Sequence, residues 1–115
     1  MAVDLDATYA VRSSTTVKLT VVIGDAQLGT SLVRLGSQKP LTVGQVKGFA
    51  LGKGSSLRGR KVFIKSVVTD VNDKTNHTSI SYKLSGGTAP ASFGLDATVE
   101  EEGDSIVFRA TFSFT

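Results

Sequence analysis

The strongest constraint on this chain is the alternation of apolar and polar residues in five separate segments. These segments are residues 3–12, 16–23, 79–85, 92–100 and 105–114. Successive side chains of a β-strand point to opposite faces, so each segment predicts a strand with one buried face and one face toward solvent. Strands of this kind are typical of antiparallel sheets that pack on a shared core.

Three further segments are less regular. Residues 61–71 carry apolar side chains at both sets of alternate positions, which predicts a central strand or a strand whose outer face is covered by a partner. Residues 27–35 lack a clean parity and indicate a strand with a bulge. Residues 41–51 contain Gly44 and Gly48, so they predict one or two short strands, since glycine makes a helix there costly.

Turn-forming residues separate the predicted strands at intervals of about 8–12 residues, the spacing found in sandwiches and barrels. The Asx-rich stretch 70–76 and the acidic stretch 101–104 are each interpreted as the turn of a hairpin. The stretch 85–90 is interpreted as a loop that crosses between sheets, because Pro90 cannot donate a ladder hydrogen bond.

These patterns predict one all-β domain over residues 1–115. We expect an antiparallel β-sandwich of about seven or eight strands, immunoglobulin-like or related in its general look, with little or no helix. A chain of 115 residues is long enough to bury a core. It contains no cysteine, which excludes disulfides and thiolate metal sites.

The N-terminal residues lack the features of a signal peptide. Asp4 and Asp6 stand where such a peptide needs positive charge, and no apolar run follows them. The longest apolar stretches are also far too short to cross a membrane as a helix. We therefore expect a soluble protein with no membrane partner, whose compartment the sequence leaves open.

Residues able to perform catalysis are scarce, and we expect neither an enzyme nor a cofactor. His77 is the single histidine, which makes a catalytic zinc site improbable. The glycine-rich stretch 48–56 fails as a phosphate-binding loop, because three residues instead of four separate Gly48 from Gly52 and Lys53, and Gly54 follows where the motif needs Ser or Thr. The stretch 70–76 is rich in oxygen ligands but lacks the EF-hand spacing, so calcium binding there stays an open question.

The candidate interaction residues form two charged groups and one apolar pair. The basic group is Lys53, Arg58, Arg60, Lys61 and Lys65; the acidic group is Glu100, Glu101 and Glu102; the apolar pair is Phe63 and Val67. Opposite charges at the two ends of a sandwich would favour head-to-tail association of copies. Phe63 and Val67 share the outer face of a strand that is apolar on both sides, which indicates a covered surface.

The leading functional hypothesis is a non-enzymatic structural or protein-interaction module, with a second copy of the chain as the simplest partner. One alternative is a small ligand-binding β-barrel or sandwich, in which Tyr9 and Tyr82 would be wall residues. Another alternative is the binding of nucleic acid or another polyanion through the basic loop 53–65. Few aromatic residues accompany that loop, which disfavours base stacking.

Overall fold

The computed structural model describes residues 2–115, which form nine β-strands and one single-turn helix. The strands are β1 (Ala2–Tyr9), β2 (Thr16–Ile23), β3 (Leu28–Leu35), β4 (Pro40–Gly44), β5 (Phe49–Lys53), β6 (Lys61–Thr69), β7 (His77–Ser85), β8 (Ala91–Thr98) and β9 (Ser105–Phe114), and the helix α1 covers Gly54–Leu57. The all-β prediction is confirmed. The described part of the chain has one or two strands more than expected, because residues 40–53 supply both β4 and β5.

The strands form two sheets that pack face to face. One sheet has five strands in the order β1-β9-β6-β3-β4, and the other has four in the order β5-β2-β7-β8. Every neighbouring pair is antiparallel except β1 and β9, which run parallel from Ala2 opposite Val107 to Tyr9 opposite Phe114. This arrangement confirms the β-sandwich, and the immunoglobulin-like relationship stays a prediction.

The inner faces of the two sheets meet in one apolar core. The alternating residues of β9 that were expected to be buried all lie in it: Ile106, Phe108, Ala110, Phe112 and Phe114. Across the core, Phe112 packs edge-on against Tyr82 with ring centroids 5.8 Å apart and lies 5.1 Å from Phe93. Each fully buried large side chain contributes about 1.5–3 kcal/mol relative to exposure, so these contacts position β9 against β7 and β8.

The strand that is apolar on both faces, β6, lies at the centre of the five-stranded sheet. Its neighbours are β9 and β3, so the prediction of a central strand is confirmed. Val62, Ile64 and Val68 point inward and are buried. Phe63 points outward and 41% of its surface is exposed, so residues 2–115 leave the outer face uncovered at this position.

The connections between strands differ from the sequence interpretation. The stretches 70–76 and 101–104 join strands that lie in different sheets, so neither is a hairpin turn. The stretch 85–90, interpreted as a crossing loop, joins β7 to β8, which pair with Leu84 opposite Ala91. These three interpretations are wrong because turn-forming residues indicate where a chain reverses, and they do not indicate which strand it pairs with afterwards.

The single helical turn α1 closes one end of the sandwich. Its last residue, Leu57, is buried, and its first, Gly54, packs so closely against the backbone carbonyl of Arg12 that a Cβ atom at this position would collide with the carbonyl. Glycine is therefore required where residues 11–13 cross over α1. The end of the sandwich that contains α1 is called the basic end below, since Arg58, Arg60 and Lys61 lie there.

The buried phenol of Tyr82 makes stability depend on pH in the alkaline range. Burial raises the pKa of Tyr82 to about 12, and the nearby Ser66 hydroxyl offsets part of that rise. Ser66 forms its own hydrogen bond with Ser31, at 2.6 Å between the two oxygens. The Tyr82 hydroxyl has no hydrogen-bond partner among residues 2–115.

We expect the free energy of unfolding to fall as the pH rises from about 10 to about 12. The unfolded tyrosine loses its proton near pH 10 and the folded one near pH 12, so the contribution is complete below pH 10 and about 1 kcal/mol is lost by pH 11. Urea denaturation at several alkaline pH values measures this loss. The Tyr82→Phe variant should show a smaller decline, and an equal decline in both proteins would contradict the assignment.

Candidate interaction surface

The outer face of the five-stranded sheet brings one aromatic side chain and several cations together. Lys61, Phe63 and Lys65 alternate along the exposed side of β6. The strand register places Arg34 of β3 opposite Phe63 and Arg109 of β9 opposite Lys65. The Phe63 face is defined here as the surface formed by Arg34, Arg60, Lys61, Phe63, Lys65 and Arg109.

Two adjoining grooves shape the Phe63 face. One has a volume of about 500 Å³ and runs across β1, β9, β6 and β3, between Asp4 and Arg34. The other is shallower, has a volume of about 670 Å³ and reaches Arg60 at the basic end. Because Arg34 and Phe63 line both grooves, the phenylalanine ring stands between two recesses and is accessible from either side.

The cations of the Phe63 face are mostly unpaired. Arg109 forms a two-pronged salt bridge with Asp4, with nitrogen–oxygen distances of 2.7 and 3.2 Å. Within residues 2–115, the side chains of the other four form no salt bridge and no hydrogen bond: Arg34, Arg60, Lys61 and Lys65. Two carboxylates line the same grooves, those of Asp4 and Asp6, so the five cations outnumber them and the surface attracts anions.

Apolar side chains continue along the same outer face beyond Phe63. Val67 lies opposite Val107 of β9, and both are half-buried. On the other side of β6, Leu32 lies opposite Val43, which is 65% exposed on the edge strand β4. The face therefore combines an apolar stripe with a positive margin, a composition found where a protein surface contacts a partner.

Two of the predicted basic residues lie elsewhere. The guanidinium group of Arg58 donates hydrogen bonds to the Val11 carbonyl at 3.1 Å and to the Ser13 hydroxyl at 3.0 Å, so it holds the chain before β2 against α1. Lys53 ends β5 in the four-stranded sheet. Sequence reasoning missed Arg34 and Arg109, because only the strand register shows that they flank β6.

The predicted acidic residues lie at the opposite end of the sandwich from the basic end. The acidic turn, defined as residues 100–104, follows β8 and precedes β9. It is bound to the end of β6 by two backbone hydrogen bonds, from Asp70 to the Asp104 carbonyl (2.9 Å) and from Gly103 to the Asp70 carbonyl (2.8 Å). Within residues 2–115, the carboxylates of Glu100, Glu101 and Glu102 form no salt bridge or hydrogen bond.

His77 lies in a small polar cluster on the outer face of the four-stranded sheet. Asp25 accepts a hydrogen bond from the Ser79 hydroxyl (2.7 Å) and lies 3.0 Å from Nδ1 of His77, while Nε2 of His77 is 3.7 Å from Asp96. In a catalytic triad the histidine lies between the serine and the carboxylate. Here the carboxylate lies between the other two residues, so the histidine is not placed to activate the serine.

The turn considered for calcium uses its amide groups to stabilise itself. The Asn72 side chain accepts a hydrogen bond from the Lys74 backbone and donates one to the Asp25 carbonyl, and the Asn76 side chain donates to the Glu100 carbonyl. Across residues 2–115, no three His, Cys, Asp or Glu side chains are grouped where a metal ion could bind them together. The turn therefore offers only scattered oxygen ligands.

Both tyrosines considered as walls of a ligand cavity have structural contacts. The Tyr9 hydroxyl donates a hydrogen bond to the Ala89 carbonyl at 2.8 Å and accepts one from the Gly87 backbone at 3.0 Å. Tyr82 is fully buried in the core. Neither of them lines the grooves of the Phe63 face.

Comparison with known proteins adds no identification: no family model, no curated protein and no solved structure matches this chain. Among residues 2–115 there is no helix with the length and apolar character needed to cross a lipid bilayer. The Phe63 face and the acidic turn are therefore the features from which a function can be inferred.

The buried side chain of Asp70 is expected to lower the stability of the fold. Asp70 is 0% exposed, and neither of its carboxylate oxygens has a hydrogen-bond partner among residues 2–115. A carboxyl group is costlier than an amide to bury without hydrogen-bond partners, so we expect Asp70→Asn to raise the free energy of unfolding by about 1 kcal/mol at neutral pH. Urea denaturation measures the change.

A bound cation would reverse this result. In that case calcium chloride would raise the midpoint of wild-type unfolding but not that of the Asp70→Asn protein, and the variant would be the less stable of the two.

Proposed function

We propose that this protein is a non-enzymatic interaction module that associates with further copies of itself through the Phe63 face. The observation that carries the proposal is an exposed phenylalanine ring at the centre of a folded sheet, next to four cations that have no partner within residues 2–115. The β-sandwich architecture occurs with many functions, so the Phe63 face supports the proposal and the fold by itself does not. The predicted immunoglobulin-like relationship and the structural role are parts of the same proposal.

An exposed aromatic anchor next to arginines is a favourable binding arrangement. Aromatic residues and arginine dominate the binding energy of protein interfaces when a partner removes them from water. Phe63 retains 41% of its exposure, and Arg34 lies directly opposite it in the neighbouring strand. A partner that covers the ring and supplies carboxylates to the cations would satisfy both groups.

A protein partner fits this surface better than a nucleic acid does. Base stacking on a β-surface uses several exposed aromatic side chains, whereas Phe63, at 41%, is the only exposed aromatic residue among residues 2–115. The other phenylalanines are half-buried or buried in the core. A second copy is the partner favoured by charge, because the same chain carries the unpaired carboxylates of the acidic turn.

The proposal is tested by measuring the mass in solution of two variants. Each places an aspartate on the outer face of one sheet, at positions of equal exposure. Phe63 and Val22 are equally exposed, at 41%, and they lie on the outer faces of opposite sheets. We expect the wild-type protein to form oligomers, Phe63→Asp to be a monomer, and Val22→Asp to behave as the wild type. Light scattering after size exclusion measures the mass, and circular dichroism verifies that each variant is folded.

Ionic strength separates the apolar from the charged part of the contact. At about 0.05 M salt both parts contribute, whereas at about 1 M salt the exposed charge pairs are screened. We expect the oligomer to weaken with salt. A wild-type monomer at every protein concentration and at both ionic strengths would refute the proposal. Binding of that monomer to heparin, with a steep loss in salt, would instead support the polyanion alternative.

A further inference from the structure

We infer that the surface bound by the Phe63 face is the acidic turn of a second copy, so that the copies associate head to tail. This inference rests on the proposed function and specifies the partner surface. The two surfaces are complementary in charge: Arg34, Lys61 and Lys65 lack anionic partners, and the carboxylates of Glu101 and Glu102 lack cationic ones. No other use of these charges is visible within residues 2–115.

Most of the Phe63 face lies far from the acidic turn of the same copy. The nine-residue strand β6 begins in the Phe63 face at Lys61 and ends at Thr69, next to the residue that binds the acidic turn. At about 3.3 Å per residue Lys61 is about 27 Å from Thr69 and Phe63 about 20 Å, whereas Lys65 is about 13 Å away. No salt bridge joins the two surfaces within residues 2–115, and an acidic turn that reaches Lys61 and Phe63 must come from a second molecule.

The acidic turn has a shape that suits a groove. Its ends are held together by the Asp104 backbone, which donates a hydrogen bond to the Glu101 carbonyl, and by the Asp104 carboxylate, which accepts one from the Glu101 backbone, both at 3.1 Å. Gly103 adopts a φ of 89° at the tip. Since the turn is already ordered, little conformational entropy is lost when it enters the groove between Arg34 and Arg60.

A symmetric contact between two Phe63 faces is disfavoured by the same charges. It would place Arg34, Lys61 and Lys65 of one copy against the cations of the other, and like charges that face each other across an interface repel. A head-to-tail contact avoids this repulsion. It also leaves a free turn at one end and a free face at the other, so assembly continues beyond two copies or closes into a ring.

The test uses two variants with reversed charges. In the face variant, Lys61→Glu and Lys65→Glu reverse the Phe63 face and leave the acidic turn intact. In the turn variant, Glu101→Lys and Glu102→Lys reverse the acidic turn and leave the face intact. We expect each variant alone to be a monomer of 12.0 kDa, because reversing the charge of one surface removes the attraction between the Phe63 face and the acidic turn. The equimolar mixture should assemble to at least twice that mass, because the intact face of the turn variant meets the intact turn of the face variant.

A matched control reverses two lysines on the other sheet. Lys18 and Lys83 are exposed on the outer face of the four-stranded sheet, and Lys18→Glu with Lys83→Glu changes the net charge as the face variant does. This control should assemble as the wild type does. Light scattering at low salt measures all five samples: the wild type, the face variant, the turn variant, their mixture and the control.

Each other outcome has a distinct meaning. If the wild-type protein is a monomer, the proposed function and this inference both fail. If the wild type assembles and the turn variant assembles equally well, the Phe63 face has a different partner surface, and only this inference fails. Folded variants that are monomers alone and do not combine in the mixture would also overturn it.

Discussion

The packing of β6 between β9 and β3 is the constraint on which the rest of this structure depends. Its inner side chains, Val62, Ile64 and Val68, belong to the core that holds the two sheets together. The alternation of a strand then places Phe63 and Lys65 on the outer side. The exposure of the Phe63 ring therefore follows from the same geometry that stabilises the fold. Its sequence neighbours, Val62 and Ile64, are buried in the core and hold the backbone of Phe63 in the sheet.

The interior of the sandwich changes character along β6. Near the basic end the buried side chains are hydrocarbon and aromatic, whereas near the acidic end they include Gln27, Asp70 and Thr78. Gln27 accepts hydrogen bonds from the Val71 and Asn72 backbones and donates to the Thr75 and His77 carbonyls. A single buried amide thus orders the connection between the two sheets, which keeps the neighbouring acidic turn in a defined position.

The sequence predicted the strands well because burial on one face leaves a periodic pattern that each segment carries by itself. The alternation of β9 and the two-sided character of β6 are examples. The sheet to which each strand belongs was not predictable. The Asp and Asn residues of 70–76 form a turn equally well in a hairpin and in a connection that crosses to the other sheet. Arg34 and Arg109 join the Phe63 face only through pairing between strands distant in sequence, and no local pattern records that register.

Because β1 pairs in parallel with β9, the start of the first strand and the end of the last strand lie at opposite ends of the sandwich. Ala2 lies beside Val107 at the acidic end, and Thr115 follows Phe114 at the basic end. A polypeptide attached after Thr115 would leave from one pole of the molecule, and one attached before Ala2 would enter at the other. Two copies joined covalently in tandem by a short linker would therefore follow one another along the direction of β1 and β9, and the linker would not need to run back over either sheet.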